Sequence, residues 1–171
     1  MTASIVVIGI GNSFRRDDGV GIAVAEEIAR RCIPSVRVVT LGGDPVAVLE
    51  AWADAQLAVV VDAAAGDGAQ AGRIRRCGIE QLASMGAVSS HAMALRETYE
   101  LGRALQRLPD RLVVFTVDAA DTGHGVGLTR TVGEAVPSVV AEVIAEASAA
   151  TRDGSSPCSS GCPTTRSGPL W

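Results

Sequence analysis

Four short runs of apolar, largely β-branched residues punctuate the chain at residues 4–8, 36–41, 57–61 and 112–117, each bounded by glycine, proline or acidic positions. The run at 4–8 reads as a buried strand and that at 57–61 as a continuous apolar one, while those at 36–41 and 112–117 read as strands without that mark. Between them the apolar positions switch to spacings of three and four. Residues 19–31 and 45–52 read as helices, the second opened by Pro45 at the first helical position, where its fixed φ fits. A third helix starts at His91 and carries its apolar face on Leu95, Tyr99, Gly102, Leu105 and Leu108. A fourth follows Val132, Val136, Val139, Val140, Val143 and Ala147. Residues 72–77, with Arg73, Arg75 and Arg76, form a short basic stretch expected as an edge strand that charge protects from further pairing. Strands alternating with helices predict an α/β fold: three layers, a mostly parallel, twisted five-stranded sheet, and helices on both faces. Residues 1–150 make the domain, and residues 151–171, rich in Ser, Thr, Gly and Pro, are expected to be a disordered tail.

Composition narrows the function classes. A chain of 171 residues, 47% of them hydrophobic, suits a single core. The net charge is −4, and the 15 basic residues are all arginines scattered along the chain. No basic stripe suits a phosphate backbone, so nucleic acid is not expected as a partner. No apolar run reaches the ~20 residues of a membrane-spanning helix. The N-terminal residues lack a basic leader and a cleavage site, so a cytoplasmic protein is expected. Cys32, Cys77, Cys158 and Cys162 are then expected as reduced thiols. Cys32 and Cys77 fall inside regular elements, and the Cys158-x3-Cys162 spacing lacks the second ligand pair of a zinc clip.

Candidate chemistry collects where strands end. Gly9-Ile10-Gly11 closes the first strand and runs into Asp17-Asp18; Asp62 closes the third; His91 heads the third helix. In an open parallel sheet the crevice outside the strands' carboxyl ends is the ligand site. Two carboxylates and an imidazole there form a three-ligand set with room for water or substrate. Each also has a structural reading: Asp17 and Asp18 complement a helix N-terminus, Asp62 caps a turn, and His91 belongs to a capping region. His124, in a glycine loop, is a weaker candidate and is expected to be exposed. A dinucleotide fold would want glycine where Phe14 stands and an acid where Leu41 stands. A nucleotide-handling enzyme is therefore the third-ranked class, and a P-loop is excluded in a chain without lysine.

Taken together, Gly9-Ile10-Gly11-Asn12, Arg16-Asp17-Asp18-Gly19-Val20-Gly21, Gly42-Gly43, Val61-Asp62-Ala63 and Ser90-His91 resemble the hydrogenase maturation endopeptidases. The resemblance runs from about residue 5 to residue 147. It implies an endopeptidase that removes a C-terminal extension from the large-subunit precursor of a nickel–iron hydrogenase after nickel insertion. It also implies that Asp18, Asp62 and His91 are the metal-binding and catalytic residues, with nickel arriving in the precursor, and a monomer is expected. One departure stands out: the family's second-strand block has an acid before its two glycines, whereas here Leu41 precedes Gly42-Gly43 and Asp44 follows them. Gly42, Gly43 and Asp44 are the expected substrate-binding turn. A non-catalytic nickel-sensing or nickel-delivery module using the same three residues is the alternative.

Overall fold

The computed structural model describes residues 5–83 and 91–153. Strands β1 (Ile5–Ile10), β2 (Val36–Leu41), β3 (Leu57–Ala64), β4 (Ile74–Cys77) and β5 (Arg111–Asp118) form one sheet in the order β2-β1-β3-β5-β4. All neighbours are parallel except β4, which runs antiparallel to β5 at the sheet edge. Every residue of β1 and β3 is buried, which accounts for their unbroken apolar runs.

Helices α1 (Val20–Arg30), α2 (Pro45–Trp52), α3 (Ala92–Ala104) and α4 (Arg130–Asp153) cover both faces. The alternation of β1 sorts them: Ile5 and Val7 join Val24, Ile28, Val139 and Val143 on the α1/α4 side. Val6, Ile8 and Ile10 join Leu49, Trp52 and Leu95 on the α2/α3 side. The three-layer architecture expected from the pattern is present. No described helix is long and apolar enough to cross a membrane.

Several expectations shift at element ends. A 3₁₀ turn, Arg16–Gly19, precedes α1 and takes in both acids, and neither caps the helix. Asp17 and Asp18 thus stand just before the N-terminus of α1 without capping it, and their further contacts are given below. Cys32 lies in the exposed turn after α1 rather than inside the helix. Leu105 follows the last turn of α3 and is exposed, so it does not share the core face. Helix α4 continues to Asp153, past the expected start of the tail at residue 151. Ser4, the loop at 84–90 and the tail at 154–171, with Cys158 and Cys162, lie outside the described residues. The edge-strand arginines are engaged: Arg75 bonds Asp118 at 2.7 Å, and Arg76 bonds Glu146 at 2.9 and 3.0 Å.

Candidate active site

The chain leaves β1 toward β2 on one side and returns to place β3 on the other, so the connections diverge between β1 and β3. That divergence opens a crevice at the strands' carboxyl ends. Asp18 follows β1, and Asp62 lies in β3 paired with Thr116 of β5. Both carboxylates are buried, with 5% and 2% of their surface exposed. Burying two acids this close to a sheet edge is costly without partners, and they differ in what partners they have.

Asp62 is engaged. Its Oδ1 accepts the Ala63 amide at 2.8 Å and faces His91 Nδ1 at 3.2 Å. An ionised carboxylate only accepts, so Nδ1 carries the proton and Nε2 is the ring's acceptor nitrogen. The hydrogen bond to Asp62 raises the His91 pKa above its ordinary value, against the opposing effect of burial; the charges of Asp62 and Asp18 raise it further, and Arg15 lowers it. The Arg15 guanidinium thus sits within electrostatic reach of the imidazole, tethered by its Nε to the Thr122 carbonyl at 3.2 Å.

Asp18 differs: no described residue donates a hydrogen bond to its carboxylate, and it reaches His91 through charge alone. Among the described residues no three His, Cys, Asp or Glu side chains converge closely enough to hold a metal ion by themselves. The structure therefore brings Asp62 and His91 into contact and sets Asp18 within electrostatic reach of the imidazole.

The glycine turn after β2 has a direct part in this geometry. A Cβ placed on Gly43, whose φ is +90°, would lie 2.5 Å from His91 Cδ2 and 3.1 Å from Nε2. The imidazole rests against the Gly43 backbone, and only glycine leaves it room. Asp44 caps α2 instead of pointing at the imidazole: its Oδ1 accepts the amides of Val46 and Ala47 at 2.8 and 3.2 Å. His124 is exposed, as expected, and enters the local structure only through its carbonyl, which faces Arg16 Nε at 3.4 Å.

The role of Asp17 was not readable from the sequence. Its fully buried carboxylate accepts the amides of Ala120 and Asp121 at 2.9 Å and the amide and hydroxyl of Thr129 at 2.7 and 2.8 Å. Burial pushes this carboxyl up, yet the hydrogen bonds from Thr129, Asp121 and Ala120 outweigh it and leave the pKa below the usual carboxylate value. Asp17 thereby ties the turn bearing Asp18 to the loop between β5 and α4. A cavity of about 320 Å³ opens beside that loop, lined by Ala65, Gly66, Ala69, Ala119 and Ala120 among others.

An open α/β sheet thus carries an acid–imidazole pair and a second buried carboxylate near its switch point. The model of the hydrogenase maturation protease family matches residues 22–146, and the chain belongs to that family. Solved structures agree. The chain is similar to the hydrogenase maturating endopeptidase HybD from E. coli, with 21% identity over 89% of this chain and 94% of that one and a TM-score of 0.72. It is also similar to two [NiFe] hydrogenase maturation proteases from Thermococcus kodakarensis. HycI gives 26% identity, 84% and 91% coverage and a TM-score of 0.63; HybD gives 21%, 84% and 98%, and 0.69. A search of curated protein sequences finds no match.

Proposed function

We propose that this protein is an endopeptidase that cleaves the C-terminal extension from a nickel–iron hydrogenase large-subunit precursor once nickel is in place. The observation that carries the reading is the Asp62–His91 pair with the buried carboxylate of Asp18 in electrostatic reach of it, in a chain of the maturation protease family. Asp18, Asp62 and His91 receive the nickel ion that the precursor brings. Three side chains that do not close on a metal by themselves suit an ion arriving with ligands of its own.

Within that reading the division of labour follows from the contacts. Asp62 holds the proton on His91 Nδ1 and so turns Nε2 into a donor of electrons. Gly43 fixes the ring plane. Asp18 has lone pairs to give, as a ligand or as the base that takes a proton from the attacking water; general base catalysis is typically worth about 10²- to 10⁴-fold. Water adds to the scissile carbonyl, and the peptide leaves as an amine with a new carboxylate behind it. Gly42, Gly43 and Asp44 form the wall that the substrate meets on the α2 side. The reading carries with it a cytoplasmic, monomeric protein.

The test is the intact mass of a nickel-loaded large-subunit precursor incubated with this protein and with its Asp62→Ala variant. Loss of one C-terminal peptide with the unaltered protein only is the expected result. Cleavage by both would keep the activity and remove the site. Stable binding without any change of mass would favour a nickel-delivery module.

A further inference from the structure

Six large apolar side chains are exposed among the described residues: Phe14, Val46, Met93, Leu101, Leu105 and Val126. Single exposed apolar residues are ordinary on a folded protein. The placement of four of these is not scattered. Phe14 is 73% and Val126 81% exposed, and their loops are stitched together: Gly125 N donates to Phe14 O at 2.9 Å and Arg16 N to Gly125 O at 3.0 Å. These loops lead into α1 and α4, so the pair stands on the α1/α4 side of the sheet's carboxyl edge. Val46 lies in the first turn of α2, just beyond the Gly43 backbone that supports His91. Met93, 71% exposed, is two residues past His91 at the start of α3. These two stand on the opposite, α2/α3 side. Chain connectivity thus sets one apolar pair, or lip, among the loops that enter α1 and α4 and the other at the starts of α2 and α3, on the two sides of the strand ends that carry Asp18, Asp62 and His91.

We infer that the two lips are the docking surface for the folded body of the precursor, which seats apolar surface across both while its C-terminal segment enters between them. The inference rests on the function proposed above. A segment entering at the strands' carboxyl ends brings the body that carries it against the elements that bear the lips. The floor agrees in charge: two buried carboxylates there favour an entering segment that carries a cation. Energy spent on contacts remote from the reacting bond acts equally on bound substrate and transition state, so it is read in KM rather than kcat.

The experiment uses the full chain and nickel-loaded precursor, with the double variants Phe14→Ser/Val126→Ser and Val46→Ser/Met93→Ser. Each is expected to raise KM about tenfold or more with kcat within about twofold. Leu101→Ser/Leu105→Ser, also exposed and near the far end of α3, serves as the control and is expected to leave both constants unchanged. Should a serine pair melt early, the single changes Phe14→Gln and Met93→Gln replace it. An unchanged KM in the lip variants, an equal rise in the control, or a loss confined to kcat overturns the inference. Sedimentation of protein with precursor reads docking independently of cleavage. If the unaltered protein binds without cutting, the functional reading fails, and docking stands only if the lip variants lose the complex. If it neither binds nor cuts, both fail. A lip-dependent dimer of this chain would make a second copy the occupant and overturn the proposal.

Discussion

Gly43 and Asp17 are small parts of the sequence with large positional consequences. A methyl group on Gly43 meets the imidazole carbons of His91 at 2.5 Å, and the left-handed φ adds strain. Gly43→Ala is expected to swing His91 off Asp62 and lower precursor cleavage by about 10²-fold, the scale of a 1 Å misplacement, while the melting temperature drops by only a few degrees. Asp17→Ala does the reverse. It removes the acceptor of the part-buried hydrogen bonds from Ala120, Asp121 and Thr129, at up to about 1–3 kcal/mol for each donor left unmade. A loss of roughly 3 kcal/mol or more should lower the melting temperature by ~10 °C in a domain of this size, as a thermal unfolding curve would read directly. Asp62 and His91 were legible because a strand's end and a helix's start bring them to one edge whatever the loops do. The contrast between Asp17 and Asp18 was not, since both sit in one turn and what separates them is Thr129, 112 residues away in sequence from Asp17.

At the scale of elements, α1 rests on the ends of β1 and β3 with almost no side chain between. A Cβ on Gly21 would lie 2.3 Å from Val61 O and 2.4 Å from Ile10 O, and one on Gly9 would lie 2.2 Å from Gly21 O. The glycines of this segment are thus packing devices as well as turn residues. Backbone atoms cannot give way as a flexible side chain can, so Gly21→Ala is expected to cost about 3 kcal/mol, the upper end for an overpacked core. A denaturant midpoint compared with that of Gly42→Ala, where the added methyl meets open space, checks it. The buried strands declared themselves through unbroken apolar runs. The edge strand was legible as an edge, but its arginines were misread as guards. Arg76 and Arg111 both reach Glu146 of α4, so the charges on this edge fasten a helix to it. No local pattern announces that, because the partners are 70 and 35 residues apart.

At the scale of the whole molecule, three shifted groups set how stability follows pH. Bonding to Arg76 lowers the Glu146 pKa from its ordinary 4.5, and the Asp17 pKa lies below 3.8. Both stabilise the fold above those values, and that contribution disappears as pH falls through the folded-state ones. His91 is raised above 6.5, so its contribution is complete below that value and disappears as pH rises through the folded-state pKa. The melting temperature should therefore be highest between about pH 4.5 and 6.5. Asp62→Asn should flatten the alkaline side of the profile and leave the acid side unchanged; an equally steep alkaline fall would show that His91 does not set it.

The hydrogen bonds that Asp17 accepts also act in time. A chain made from its N-terminus at about 5–20 residues per second exposes Asp62 and His91 a few seconds before Thr129. Until the stretch from Ala120 to Thr129 is made, the Asp17 carboxylate lacks the donors that fasten the turn bearing Asp18. A growing chain thus holds Asp62 and His91 before it has the donors that set the Asp18 turn beside them. On the proposed function, competence arrives with the loop before α4, and the nascent chain spends most of its synthesis unable to cut anything near the ribosome.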